Sequence, residues 1–356
     1  MPRPVRATIS ASALAHNLAV ARRHAGAAKV WAVVKANAYG HGLERAARAL
    51  ALADGFALLD LEEAARLRAA GVSKPILLLE GIFGAADVGA LSQYDLTPVI
   101  HCAEQLAALE RTPPERPLDV YLKLNSGMNR LGFAADGVDG AWQSLRRQRH
   151  VRSVTLMTHF ADADGAEGVA GQLERLDAMT RTLRAPRCLA NSAALLRHPQ
   201  ARADWVRPGI MLYGCSPFPD QSAQALGLRP AMTLASEIIG VQRLQPGERV
   251  GYGFSYEARA ATSVGIVACG YGDGYPRHAP TGTPVLVAGR RTTTIGRVSM
   301  DLLCVDVSGI PQARVGTPVT LWGEGLSADE VAAAAGTVSY QLLCALASRV
   351  PVAETA

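Results

Sequence analysis

Short apolar runs alternate with stretches of helical pattern from about residue 30 to residue 214. Near-continuous apolar runs are typical of parallel strands buried on both faces. The runs predict strands at 29–34, 56–59, 75–79, 96–100, 118–124, 151–158 and 187–190, and segments 205–206 and 211–214 close the series. Helices are predicted at 43–53, 61–70, 85–91, 103–110, 138–149, 168–183 and 192–196. Roughly eight such units indicate a parallel (β/α)8 barrel.

The pattern changes after about residue 230. Short runs rich in Val, Ile and Thr are now separated by Gly and Pro turns, as in an antiparallel sheet. Strands are predicted at 233–241, 263–269, 284–288, 302–307 and 318–322, with a turn at 245–248 and one late helix at about 328–335. We therefore predict a barrel domain over residues 1–230 and a C-terminal, mainly β domain over residues 231–356.

Polar and reactive side chains stand where the predicted barrel strands end. They are Lys35, Lys123, His159, Asn191 and Arg207. In barrels of this kind, function concentrates at the carboxyl ends of the strands. Five such residues at one rim therefore indicate a pocket.

Composition narrows the classes of function. The chain has 356 residues, 49% apolar and 19% charged, with a formal net charge of +5. Its basic residues are scattered and form no stripe with aromatic residues, which argues against nucleic-acid binding. The six cysteines are far apart and form no metal-ligand or disulfide pattern, so no metal is predicted. We see neither a signal peptide nor an apolar run of about 18 residues, and expect a cytoplasmic enzyme with no membrane contact.

Lysine is rare in this chain, and one lysine stands at a strand end. Of the 36 basic residues, only four are lysines: Lys29, Lys35, Lys74 and Lys123. An amine can lose its proton and attack a carbonyl, which a guanidinium cannot do. Lys35 follows an apolar run and precedes a Gly-bearing turn, so it is the candidate nucleophile. Taken alone, such a lysine would more commonly extend its amine into solvent.

Eight segments, in order, resemble the alanine racemase family. They are VKANAYGHG (34–42), LKLNSGMNRLG (122–132), THF (158–160), NSA (191–193), VRPGI (206–210), VGYG (250–253), GYGDGYP (270–276) and GRVSMD (296–301). The resemblance covers nearly the whole chain. It implies the cofactor pyridoxal 5′-phosphate, which accepts electrons when an amino acid loses its α-proton.

The resemblance implies two bases on opposite faces of the substrate. Lys35 would hold the cofactor as a Schiff base and then serve one face of Cα. Tyr252, contributed across a homodimer interface, would serve the other face. A phenol with a pKa of about 10 is a poor base at neutral pH, so neighbours must tune it. His159 followed by Arg207 is the predicted tuning chain.

The resemblance also assigns residues around the cofactor. Arg207 would face the pyridine nitrogen, where a group that cannot accept a proton keeps the electron sink shallow and limits side reactions. Phosphate contacts are expected from Tyr39, Ser192, Gly209, Ile210 and Tyr340, and Asn191 is a further cofactor-binding candidate. Ser192 is predicted to open a helix, where it would be an ordinary N-cap, a phosphate ligand or both.

The remaining implied residues concern the substrate. Arg130 would meet the substrate carboxylate, oriented by a carbamylated Lys123, although an unmodified, salt-bridging lysine is the alternative. Met300 and Asp301 would reach the substrate from the partner chain, and Tyr271 would narrow the mouth of the site in favour of a methyl side chain. Asn125 stands where many relatives have Asp, which weakens arguments built on that carboxylate.

The resemblance therefore implies interconversion of L- and D-alanine, for peptidoglycan synthesis or for alanine catabolism. A broader-specificity racemase is the nearest alternative. A pyridoxal-dependent decarboxylase would place an acidic residue at the pyridine nitrogen, which Arg207 argues against. A non-catalytic pyridoxal-phosphate-binding protein would need no second base, so the β domain with Tyr252 argues against it.

Overall fold

The computed structural model describes residues 3–356 and contains a barrel and a separate, mainly antiparallel sheet. The strands are β1 (Arg6–Ser10), β2 (Lys29–Val33), β3 (Gly55–Leu58), β4 (Ile76–Leu78), β5 (Leu96–Ile100), β6 (Leu118–Lys123), β7 (Val151–Met157), β8 (Arg187–Cys188), β9 (Trp205–Val206), β10 (Met232–Leu244), β11 (Arg249–Val250), β12 (Tyr256–Glu257), β13 (Thr262–Val267), β14 (Pro284–Val287), β15 (Arg290–Ile295), β16 (Leu303–Asp306), β17 (Pro318–Trp322) and β18 (Val352–Thr355).

The α-helices lie mainly between the barrel strands. They are α1 (Ala11–Ala25), α2 (Lys35–Tyr39), α3 (Leu43–Ala49), α4 (Leu61–Ala69), α5 (Val88–Gln93), α6 (Ala103–Arg111), α7 (Ala135–Arg147), α8 (Ala170–Met179), α9 (Ser192–Arg197), α10 (Ala328–Ala334) and α11 (Ser339–Cys344). None of the helices within residues 3–356 is long and apolar enough to cross a membrane.

Strands β2 to β9 close into a parallel barrel, which confirms the predicted barrel. Their side chains are mostly buried, and every residue of β3 is buried. Apolar runs form such strands because helices cover one face and the barrel interior covers the other. The segment 211–214, predicted to close the series, lies instead in a 3₁₀ helix at Ile210–Tyr213 and its C-cap, Gly214.

The second unit is an eight-stranded sheet in the order β13-β16-β15-β14-β17-β10-β1-β18. Strand β1 pairs antiparallel with β10, where Ala7 lies opposite Leu234, and parallel with β18, where Ala7 lies opposite Val352. The start and end of the chain therefore meet in this sheet. Strand β1 joins the predicted barrel domain to it, and the predicted boundary near residue 230 stays a prediction.

The C-terminal unit contains two late helices, so the prediction of one late helix was wrong. Helix α10 is capped by the Ser327 hydroxyl, which accepts from the Asp329 N–H at 3.0 Å. The second helix, α11, contacts α10 and the α2 segment that begins at Lys35. It therefore carries residues of the C-terminal unit to the mouth of the barrel.

Candidate active site

A pocket of about 990 Å³ lies where the barrel strands end. Most of the predicted site residues line it: Lys35, Tyr39, Lys123, Arg130, His159, Asn191, Ser192, Arg207, Gly209, Ile210 and Tyr340. Lys123 is the last residue of its strand, and the other four strand-end residues follow theirs by no more than three positions. The structure thus gathers in one cavity side chains that are more than 300 residues apart in sequence, from Lys35 to Tyr340.

The backbone turns left-handed directly after Lys35. Residues 36–39 have φ values of 55°, 52°, 53° and 51°, although none is glycine. Side-chain hydrogen bonds hold this turn: Glu63 accepts from the Asn37 N–H at 2.9 Å, and the Asn37 side chain accepts from the Leu43 N–H at 2.9 Å. The turn brings both the Lys35 amine and the Tyr39 phenol to the pocket.

His41 supports the same turn from beneath. Its Nδ1 lies 3.1 Å from the Ala38 carbonyl oxygen and 2.9 Å from that of Tyr39, so Nδ1 carries the hydrogen. Burial lowers the pKa of His41 to about 4. The imidazole is therefore neutral at physiological pH.

Arg207 is held rigidly beneath the pocket. Its side chain is buried, and its two terminal nitrogens donate to the carbonyl oxygens of Cys188 at 2.7 Å, Thr158 at 2.7 Å and Leu189 at 3.1 Å. Within residues 3–356 its Nε–H has no hydrogen-bond partner. Because Arg207 lines the cavity, this donor is free to meet a ligand there.

His159 lies beside Arg207, as predicted for the tuning chain. Its Nδ1 is 3.5 Å from the Arg207 guanidinium, which can only donate, so Nδ1 accepts. Burial, together with the cations Arg207 and Lys123, lowers the pKa of His159 well below its usual value. The ring is neutral, and its Nε2 carries the hydrogen.

Lys123 is buried at the end of β6 and surrounded by positive charge. Burial, together with the nearby cations Arg207, Arg130 and Lys35, lowers its pKa to about 8 against the opposing effect of Glu80. The amine is therefore uncharged in a much larger fraction of molecules than an exposed lysine would be at neutral pH. Its side chain donates no hydrogen bond to any residue that the structure describes.

Hydroxyl and backbone donors collect at one end of the pocket. The Gly209 N–H donates to the Ser192 hydroxyl at 2.9 Å. A methyl group on Gly209 would lie 2.6 Å from the Tyr39 phenol oxygen, so these groups are in close contact. The helix N-cap is Asn191, whose side chain accepts from the Ala194 N–H at 2.9 Å. Ser192 therefore opens the helix, as predicted, but the N-cap alternative for Ser192 does not hold, because Asn191 occupies that position.

The other four predicted residues, Tyr252, Tyr271, Met300 and Asp301, lie on the C-terminal unit and do not line the pocket. Tyr252 is 70% exposed, and Met300 is 53% exposed. The roles predicted for these residues would therefore need a second copy of the chain.

Several residues that line the pocket were not predicted. Glu80, Asp164, Ser216 and Cys344 all border it. Glu80 follows β4 by two positions, so the strand-end pattern that selected Lys35 could also have selected Glu80. Cys344 comes from α11, which also carries the predicted Tyr340, but the sequence does not single out this cysteine.

Comparison with known proteins identifies the family to which this chain belongs. The family model described as "Alanine racemase, N-terminal domain" matches residues 9–217, and "Alanine racemase, C-terminal domain" matches residues 231–353. The chain is 56% identical over 353 residues to the alanine racemase of Erwinia tasmaniensis, covering 99% of each chain. The chain belongs to the alanine racemase family.

Further members of the alanine racemase family match along their full length. A relative named "Alanine racemase, catabolic" from Salmonella typhimurium is 55% identical over 356 residues, covering all of both chains. The crystal structure of the biosynthetic alanine racemase from Pseudomonas aeruginosa superimposes with a TM-score of 0.97 at 49% identity, covering 99% of this chain and 100% of that chain. The alanine racemase family therefore accounts for both units of the fold, and its biosynthetic and catabolic members are both close in sequence.

Proposed function

We propose that this protein interconverts L- and D-alanine with pyridoxal 5′-phosphate bound in the barrel pocket. One observation carries the proposal: the Lys35 amine and the Arg207 guanidinium, with its unpaired Nε–H, line the same cavity. An amine can hold an aldehyde covalently, and an arginine can face a ring nitrogen without giving it a proton. Family membership supports the same conclusion.

The donor set of the pocket fits this cofactor. A phosphate needs several hydrogen-bond donors more than a formal charge, and the hydroxyls of Tyr39, Ser192 and Tyr340 border the cavity beside the backbone of Gly209 and Ile210. The free Nε–H of Arg207 is suited to the lone pair of a pyridine nitrogen. Lys35 would hold the cofactor, and these residues would fix its two ends.

The chemistry divides between the cofactor and the chain. When bound, pyridoxal phosphate withdraws electrons from Cα and makes the α-proton of alanine acidic. Lys35 then takes or returns that proton on one face. Arg207 stays protonated throughout, because its guanidinium keeps its proton at any physiological pH. This limits how far negative charge is drawn into the ring and favours rapid return of the proton to Cα.

The second base of the proposal is Tyr252 of a second copy of the chain. Tyr252 and Phe254 are 70% and 67% exposed on the 3₁₀ turn that β11 and β12 flank, and exposed aromatic clusters commonly mark interfaces. A homodimer with twofold symmetry would place the Tyr252 of each copy over the pocket of the other. The neutral His159 is hydrogen-bonded to Arg207 through Nδ1. Its Nε2 would then donate to the phenol oxygen and stabilise the phenolate, which is the form that acts as a base.

The substrate carboxylate is assigned to Arg130, with Met300 and Asp301 of the second copy closing the site. We further propose that Lys123 is carbamylated. Its pKa of about 8 leaves free amine to react with carbon dioxide, and the resulting anion would lie among Arg130, Arg207 and Lys35. The net repulsion among these cations would be relieved, and Arg130 would gain an acceptor.

Two variants test the proposal. Lys35→Ala should abolish both racemisation and the visible absorbance of the bound cofactor. Tyr252→Phe should keep the absorbance but lower turnover by about 10³-fold, because a general acid–base contributes on that order, and the loss should be greatest from L-alanine. The measurement is exchange of the α-hydrogen of alanine, serine and lysine in deuterated water, with circular dichroism to follow racemisation.

Tyr256→Phe provides the matched control, since Tyr256 lies on β12 in the same ribbon and is not proposed to touch substrate. It should leave turnover within about twofold of the wild type. Normal racemisation by Tyr252→Phe would refute the two-base assignment. Comparable exchange of serine or lysine would favour the broader-specificity racemase. The cellular role, in peptidoglycan synthesis or in catabolism, and the cytoplasmic location stay predictions.

A further inference from the structure

Two loops of the C-terminal unit are joined by four charged side chains, and the proposed chemistry gives no role to three of them, Arg3, Asp273 and Arg349. The first loop, 270–275, carries Tyr271, and the second, 299–301, carries Met300 and Asp301. We propose that Asp273 is a positioning residue which, through Arg3 and Arg349, holds these two loops in one fixed arrangement at the substrate end of the site. This inference rests on the proposed function.

Asp273 is the centre of the network. Its carboxylate is fully buried and accepts from Arg3 at 2.7 and 3.0 Å, from Arg349 Nε at 2.8 Å and from the Gly270 N–H at 3.0 Å. Burial acts to raise the pKa of Asp273, but these hydrogen bonds outweigh burial, and the pKa lies below its usual value. A buried carboxylate with four donors has one fixed orientation.

The two arginines extend the network to the second loop. Arg349 donates from Nη2 to the Asp301 carboxylate at 2.6 Å, and Arg3 donates from Nη2 to the Asp301 carbonyl oxygen at 2.8 Å. Two positive and two negative side chains thus alternate and balance. Because each arginine bridges both loops, neither loop can shift without breaking a charged hydrogen bond.

Backbone contacts show how closely the loops are fitted. The Tyr271 N–H donates to the Ser299 carbonyl at 3.0 Å, and the Gly272 N–H donates to the Met300 carbonyl at 2.8 Å. A methyl group on Gly270 would lie 2.2 Å from the Ser299 carbonyl oxygen, so only glycine permits this approach. Tyr271, which is proposed to limit side-chain size, is thereby set at a fixed distance from Met300 and Asp301.

The arrangement also involves both ends of the chain. Arg3 precedes β1, and Arg349 precedes β18, and these two strands are paired with each other. The Ala347 N–H donates to the Asp273 carbonyl oxygen at 3.2 Å. The terminal strands therefore act as an anchor from which the arginines reach the loops. Loss of either arginine should loosen the loops while leaving the barrel and its cofactor contacts unchanged.

The test compares Asp273→Asn, Arg349→Met and Arg3→Ala in the cofactor-loaded enzyme. Each should raise KM for alanine by about tenfold with kcat changed by less than about threefold, because substrate placement is lost and the two bases are kept. The preference for alanine over serine should fall, since Tyr271 no longer holds the site narrow. Cofactor absorbance should not change. A merely structural residue would lower the melting temperature without moving the alanine-to-serine ratio.

Asp119→Asn is the matched control. Asp119 pairs with Arg152 at 2.6 Å and 2.9 Å between β6 and β7, far from both loops along the chain. It should leave KM and the alanine-to-serine ratio unchanged. If Asp273→Asn does not fold, Arg349→Met decides the question, because Arg349 is partly exposed. An unchanged ratio in Arg349→Met and Arg3→Ala would overturn the proposal.

A second readout separates this proposal from the proposed function. Amide hydrogen exchange measured by mass spectrometry should accelerate across residues 270–275 in all three variants and not in Asp119→Asn. If the wild type does not racemise alanine but amide exchange accelerates in the three variants, the proposed function fails and the positioning role stands. If the wild type racemises alanine and exchange stays slow in the variants, the positioning role fails alone.

Discussion

At the scale of single residues, the chemistry of the pocket depends on which of its cations can lose a proton. Arg130 and Arg207 keep their charge, whereas Lys35 and Lys123 carry amines. Replacing either lysine with arginine would preserve charge and remove reactivity. The scarcity of lysine elsewhere in the chain is consistent with lysine being kept where an amine is needed.

Lys123→Arg tests the proposed carbamate. An arginine cannot be carbamylated, so a third permanent cation would repel Arg130 and weaken its hold on the substrate carboxylate. We expect kcat/KM for alanine to fall by about 10²-fold. With isotopically labelled bicarbonate, the wild type should show a carbamate signal by NMR that Lys123→Arg lacks. Lys74→Arg, on the loop before β4, should change neither measurement, and a wild type without the signal would contradict the modification.

At the scale of elements, the left-handed turn after Lys35 is the most unusual part of the fold. Left-handed conformation costs an L-residue about 1–2 kcal/mol, and four consecutive non-glycine residues adopt it here. The hydrogen bonds from Glu63, Asn37 and His41 offset this cost. Because Lys35 precedes the turn and Tyr39 is its last residue, the backbone strain lies between two residues proposed to hold the cofactor.

Gly40→Ala should disrupt this turn far more than its backbone angle alone would suggest. Gly40 has φ of 79°, and a methyl group there would lie 2.1 Å from the Leu343 carbonyl oxygen in α11. Gly26, with φ of 62°, has nothing within 4 Å. Gly26→Ala should therefore lower the free energy of unfolding by about 1 kcal/mol, and Gly40→Ala by about 3 kcal/mol or more. Urea denaturation measures both, and equal losses would show that the α11 contact is unimportant.

The barrel could be predicted from sequence because its strands are continuous apolar runs whose environment is the same on both faces. Strand β1 could not, since its partners lie more than 200 residues away in β10 and β18 and its own pattern is short. A turn after Lys35 was predicted, but helix α11 and the left-handed conformation of the turn were missed for a related reason. The α11 and α2 segments contact each other, and residues 36–39 include no glycine that would mark positive φ.

The pocket residues were predicted more completely than the elements, because the resemblance supplied them one by one. Lys35, Lys123 and Arg207 meet in the cavity as expected. Ser192 opens its helix as predicted, but the alternative in which it is the N-cap was wrong, because the neighbouring Asn191 occupies the cap position. A local motif cannot show which of two adjacent polar residues is the N-cap, because the position at which the helix begins depends on how the helix packs.

At the scale of the whole molecule, one chain holds two incomplete halves of the proposed site. The barrel presents Lys35 in the pocket, and the C-terminal unit presents Tyr252 away from it. If the complete site needs both, activity belongs to pairs of chains. Mixing chains with complementary defects then separates a shared site from a site within one chain.

Co-expression of Lys35→Ala with Tyr252→Phe should restore activity that neither variant has alone. In a random mixture about half of the dimers are mixed, and each mixed dimer has one site with both bases, so about a quarter of wild-type activity is expected. The converse experiment co-expresses the wild type with a chain that carries both Lys35→Ala and Tyr252→Phe. For a shared site the mixed dimers are inactive, and only about a quarter of the activity remains, whereas a site within one chain would keep about half. Differently tagged chains allow the mixed dimer to be purified, and an active mixed dimer in the second experiment would exclude the shared site.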